Sequence, residues 1–127
     1  MPVVRFQDFG AASAPDWCRI SDGICGMGVW TCGPEGQVEP HFHDNEEFWF
    51  VTRGRARIVT EGAERIVEKG DVVCTRMGDE HAIPGVIDTP YEHIWIACNR
   101  RGKRRSGHLH RGMDDPAQGA SAVPPHA

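Results

Sequence analysis

The chain has 127 residues, of which 39% are hydrophobic and 25% charged, and its formal charge is −4 with histidine neutral. That size fits one domain, and the acidic balance gives no electrostatic case for a nucleic-acid partner. No apolar run approaches the about 20 residues a membrane helix needs. The start, Met1-Pro2-Val3-Val4-Arg5-Phe6, lacks the layout of a signal peptide, so the sequence reads as cytoplasmic with no membrane partner.

Short β-like runs separated by turn residues dominate the chain. Val3 to Phe9 is a first candidate strand, and Ala11 to Asp22, with Pro15 and small polar residues, reads as a connector. Ile24 to Thr31 is the next strand, ended by the turn signal Gly33-Pro34-Glu35-Gly36. Val38 to His43 and Phe48 to Thr52 follow, and Arg53-Gly54 is expected to turn the chain. Arg55 to Thr60 alternates polar and apolar as a half-buried strand does, which puts Arg53, Arg55 and Arg57 on one exposed face. Glu61-Gly62-Ala63 and Lys69-Gly70-Asp71 are turns, with strands at Glu64 to Val67 and Val72 to Thr75. Met77 to Glu80 reads as a loop. His81-Ala82-Ile83 is a short strand expected to end at Pro84-Gly85, and Tyr91 to Cys98 is the last clear strand.

Turns at about the 8–12-residue spacing of sandwiches and barrels, with no long amphipathic helix between them, predict an all-β domain. The expected organisation is an N-terminal strand and connector over 1–23, a barrel over 24–98 and a basic tail over 99–127, ordered in part. Arg100, Arg101, Lys103, Arg104 and Arg105 crowd the start of that tail. They read first as a solvated segment and second as a weak site for an anion or a partner.

The five cysteines, Cys18, Cys25, Cys32, Cys74 and Cys98, are odd in number and form no C-x-x-C pair. That argues against a disulfide framework and against a zinc knuckle. Cys74 and Cys98 read as small buried residues; Cys32 is a weaker candidate for lining a pocket.

The chemistry concentrates at His41-Phe42-His43, Glu47 and His81. Alternate residues of a strand point to one face, so His41 and His43 project together. Glu47 lies an even number of residues further on, and His81 must arrive from another strand. Three imidazoles and a carboxylate without thiolate suit one divalent transition metal ion such as Fe, Mn, Ni or Zn.

These residues carry a specific resemblance. Gly36 to Gly54, with His41, His43, Glu47 and the closing Gly54, resembles the first motif of the cupin superfamily, with the interval from Gly36 to His41 one residue short. Gly70 to His81 is similar to the second motif, with Arg76 in place of the usual proline and Gly85 where asparagine is common. The resemblance covers about Ile24 to Cys98 and implies a single-domain jelly-roll β-barrel with the metal site inside. It further implies His41, His43, Glu47 and His81 as metal ligands and a homodimer built through sheet contacts.

Other residues are candidates by position. His93 shares strand parity with Tyr91 and Trp95; if that face looks inward, His93 is the candidate catalytic acid or base. Trp49 follows Glu47 by two and reads as an apolar wall or plain core; some cupin lyases resemble this chain but carry a tyrosine base near that place. Trp30, Trp95 and Arg76 are further candidates for substrate contact, Arg76 by holding a carboxylate or phosphate, with Met27 at the cavity mouth. Glu46 should face away from Glu47, and His108-Leu109-His110 is not expected to form a second metal site.

The expected function is a small metal-dependent enzyme acting on a small organic substrate. Dioxygenase-type cleavage is favoured because the flanking residues are apolar. An isomerase or lyase acting on a sugar or acid, and a non-catalytic ligand-binding module, are the alternatives, since fold and ligand set do not select a reaction.

Overall fold

A computed structural model describes residues 24–98, 100, 102, 103, 105 and 107–114. The expected Val3–Phe9 strand, the connector after it, Cys18, Arg101 and Arg104 lie outside the described residues. Those residues form six strands and no helix: β1 (Ile24–Cys32), β2 (Val38–His41), β3 (Glu47–Thr60), β4 (Ala63–Glu68), β5 (Val72–Thr75) and β6 (His81–Cys98). The expected jelly-roll β-architecture is the one found, and all the pairings between these strands are antiparallel. No helix among the described residues is long and apolar enough to cross a membrane.

Two long strands organise the fold. The first part of β3 pairs with β5 on one side and with the last part of β6 on the other, where β1 completes the leaf. The second part of β3 pairs with β4 and with the first part of β6, where β2 completes a second leaf. Both leaves contribute to the core of Trp49, Val51, Ala56, Ile58, Val67, Val73, Ile83 and Tyr91.

Neither expected break in these strands is a chain reversal. At Arg53-Gly54 the strand bends and continues, with register shifts on either side. Gly54 has φ 73°, and a Cβ there would come within 2.4 Å of Asp88 O and 2.5 Å of Pro90 O. Glycine is required at this position because the two bends nest against each other, carrying β3 and β6 together from one leaf to the other. At Pro84-Gly85 β6 also runs on. Pro84 offers no ladder donor, and it falls where the pairing with β3 shifts register, between Arg57 opposite Gly85 and Val59 opposite Ala82.

The described part of the tail is held to the barrel. It returns across the barrel mouth, where Phe42 and Leu109 exchange backbone hydrogen bonds of 2.8 and 3.0 Å. Phe42, Met77 and Leu109 form a second small core. The buried Asp44 carboxylate accepts two hydrogen bonds from Arg105, at 2.7 and 3.0 Å. Arg111 pairs with Glu61 and donates to Gly78 O at 3.1 Å. Arg105 is thus a structural cation and not part of a solvated run.

The leaf of β1, β6, β3 and β5 is apolar on both faces. Across its outer side the register aligns Val29, Ile94, Phe50 and Val72, then Met27, Ile96, Phe48 and Cys74. Val29, Phe50 and Val72 are exposed. Cys74, expected to be buried, also lies on this outer face and is exposed.

Candidate metal centre

Three strand ends meet at one end of the barrel. His41 closes β2 and lies directly opposite His81, the first residue of β6. Glu47 opens β3 in the other leaf. His43 sits just past β2, in a segment held by the hydrogen bond from Gly78 N to its carbonyl, 2.9 Å. Strand alternation thus places His41, but the turn after β2 places His43. One ligand atom from each of His41, His43, Glu47 and His81 lies within 4.8 Å of the others.

Each histidine is oriented by its backbone. Nδ1 of His41 donates to Glu39 O at 2.6 Å, that of His43 to Gly107 O at 2.9 Å, and that of His81 to Asp79 O at 2.9 Å. With the ring proton on Nδ1, all three present the Nε2 lone pair to the site, as metal-binding imidazoles do. Glu47 Oε2 lies 2.9 Å from His43 Nε2 and 3.5 Å from His81 Nε2. These three buried atoms have no hydrogen-bond partner. Acceptors that converge without a donor call for a cation, and nitrogen with carboxylate oxygen suits a divalent transition metal.

Burial and the neighbouring His81 hold His41 down at about 3, so its lone pair is free at neutral pH. His43 differs: burial works downward, but in the metal-free site a second ring proton, on Nε2 and shared with Glu47, and that carboxylate's charge outweigh it and raise the imidazole above its ordinary value. A metal ion at this place displaces that proton. Glu47 is opposed by its own burial, yet His43 and His81 keep it well below the usual carboxylate range.

The group opens onto a cavity of about 460 Å³. Trp30, Trp49, Trp95 and His93 form much of its wall, Asn45 and Arg100 line it, and Gly107 and His108 of the tail close on it. The Tyr91-His93-Trp95 face therefore looks inward. Trp49 and Trp95 are cross-strand partners, as are Trp30 and His93. Gly28 lies opposite Trp95, and a Cβ on it would approach the indole to 2.8 Å, so β1 leaves room for that ring. His93 stacks on Trp49 with centroids 4.5 Å apart and planes 8° apart.

His93 is buried and held at about 4 by desolvation, hence neutral at pH 7. Its Nδ1 lies 2.9 Å from the Tyr91 hydroxyl. Burial pushes the Tyr91 phenol up, so it keeps its proton. The hydroxyl has no other acceptor among the described residues, so it donates to Nδ1 and leaves the ring proton on Nε2.

Not every candidate converges. Arg76 does not line the cavity. It belongs to the loop capped by Asp79, whose carboxylate accepts from Arg76 N at 2.8 Å and lies 4.0 Å from the guanidinium Nε. Met27 points outward with Val29. Cys32 lies on the inner side of β1, packed with Trp30 against the core and not on the cavity wall. Among the cavity residues outside the expectations are Asn45, Arg100, grouped with the tail, and His108, whose ring stacks on His41 at 3.6 Å and 11°. Burial and the facing His43 lower His108 below its ordinary value. The repeated His-x-His of the tail, not expected to form a second metal site, is the sequence signal for that contact.

A family model described as a cupin domain matches residues 28–97, more than half of the chain. The chain belongs to the cupin family. This cupin is 27% identical over 114 residues to uncharacterized protein y4oW of Sinorhizobium fredii, covering 78% of the chain. It spans only 52% of that curated relative's length. Among solved structures it is similar to the DMSP lyase DddQ of Ruegeria pomeroyi, with TM-score 0.61 and 23% identity over 75% of this chain and 46% of that one. It is also similar to a Cupin 2 conserved barrel domain protein of Salinispora arenicola, with TM-score 0.51 and 27% identity over 56% and 60% of the two chains.

Proposed function

We propose that this cupin is a mononuclear metal-dependent enzyme acting on a small organic substrate, with dioxygen-dependent cleavage as the first reading. The observation that carries it is the convergence of three oriented Nε2 atoms and one carboxylate on the floor of an aromatic-walled cavity. A divalent ion bound there supplies Lewis-acid chemistry and, for iron or manganese, redox chemistry with dioxygen.

The chain's own residues do the rest. Trp49 and Trp95 wall the cavity beside the ligands and favour a planar apolar substrate body. Gly107 fixes His43 through its carbonyl, and His108 covers the open face of His41, so the tail holds ligands in place while narrowing water's access. His93 presents a neutral Nε2–H, positioned by Tyr91, to a substrate oxygen.

That donor favours a second reading. A neutral imidazole held by a protonated phenol stabilises negative charge growing on a substrate oxygen, which isomerases and lyases need. The similarity to a chain named as a DMSP lyase is consistent with it, although at 23% identity it supports the fold alone. Oxygen consumption by the Fe(II)-loaded protein across a panel of small organic acids and phenols separates the readings. Substrate-dependent uptake supports the first; anaerobic turnover without uptake supports the second. Tight binding with no turnover in any metal form would leave only a binding module.

A further inference from the structure

We propose that Arg100 is a carboxylate-binding residue of this cavity, so that the substrate class is an organic anion with a planar apolar body. The inference deepens the proposed function, since it concerns the same site.

The observations are of pairing and position. The described arginines of the tail divide sharply. Arg105 is spent on the buried Asp44, and Arg111 on Glu61. Arg100 instead lines the cavity. Among the described residues its one hydrogen bond runs from a terminal NH group to Arg105 O, at 3.2 Å, and no carboxylate forms an ion pair with it. Most of its N–H donors therefore remain for a ligand, in the fork that matches a carboxylate.

The one acid lining the cavity among the described residues is Glu47. It is already engaged by His43 and His81, so it does not neutralise Arg100. A half-buried guanidinium facing a cavity without its own counter-ion is costly unless an anion visits it. Trp30, Trp49 and Trp95 offer apolar faces, and no other arginine or lysine lines the cavity among the described residues. One charged fork and three indoles together select one negative group attached to a flat apolar body.

The test uses tryptophan fluorescence, which reports on the cavity whatever the reaction. 3-Phenylpropanoate and its uncharged amide, 3-phenylpropanamide, are titrated into the full chain, metal-loaded and metal-free. In both forms the carboxylate is expected to bind at least about tenfold tighter than the amide. Arg100→Gln should reduce that preference severalfold in both forms with metal content unchanged, while Arg100→Lys keeps more of it. Equal affinity for the two probes, failure of the carboxylate to bind, or a preference untouched in Arg100→Gln overturns the proposal. Metal content and oxygen uptake are measured on the same samples. Loss of either with the Arg100-dependent preference intact would count against the proposed function and not against this subsite.

Discussion

His43 Nε2 and Glu47 Oε2 lie 2.9 Å apart although the backbone bond from His43 Nδ1 to Gly107 O leaves both atoms as acceptors. Only a positive charge between them relieves the contact: a proton, which makes His43 an imidazolium, or a metal ion. The raised His43 value is the first solution and metal binding the second.

The two solutions exclude each other, so metal uptake must release that proton. Calorimetric titration with a divalent metal in buffers of different ionisation enthalpy should give a release approaching one proton per ion below the raised His43 value. Affinity should climb with pH through that value and then level off. No buffer dependence would show that His43 is not protonated in the metal-free protein.

Acid stability of the metal-free protein should depend on His93. Its folded value, about 4, lies below its ordinary 6.5, so the unfolded chain takes the proton first as pH falls. The associated stability is complete above about pH 6.5 and is lost as pH drops toward about 4, at a cost of about 3 kcal/mol. His41, held at about 3, acts on the same limb. Urea melts across this range should therefore be shallower for His93→Gln than for the native chain, with His41 supplying the residue of the slope. An unchanged slope would place His93 in solvent.

The tail strap should be separable from the barrel. Arg105→Ala leaves the buried Asp44 carboxylate without its partner, a loss of about 3 kcal/mol. Leu109→Ala removes a buried side chain from the Phe42-Met77 cluster at about 2 kcal/mol or more. Both should speed proteolytic cleavage after the tail arginines before the barrel melts. Equal protection in the variants would mean that the strap is not held by these contacts.

Gly54 and Gly62 make a matched pair for the strand bend. Both have positive φ, 73° and 79°, but a Cβ at Gly62 meets nothing within 4 Å. Gly62→Ala should cost about 1 kcal/mol. Gly54→Ala adds a clash with the backbone of Asp88 and Pro90 and should cost at least about 3 kcal/mol or prevent folding. Similar melting temperatures for the two variants would contradict the nested bends.

What the sequence disclosed follows from distance along the chain. The candidate cluster of His41, His43, Glu47 and His81 was legible because two local motifs carry it, although the turn after β2, and not strand parity, brings His43 to it. The inward face of Tyr91, His93 and Trp95 was not, since both faces of that strand are apolar and only pairing with Trp30 and Trp49 decides between them. Gly54 signalled an unusual backbone correctly, but a positive φ serves a bend within a strand as well as a reversal. Asp44 and Arg105, 61 residues apart, left no local pattern, so the tail looked solvated. Arg76 looked available because its pairing depends on the loop geometry that brings Asp79 to it.

Metal content per chain, after reconstitution with a divalent transition metal and dialysis, tests the central claim most directly. The native protein should hold close to one ion per chain and gain several degrees in melting temperature. His81→Ala, still folded by circular dichroism, should hold none and gain nothing. No retained metal in the native protein, or equal retention in the folded His81→Ala variant, would contradict the account.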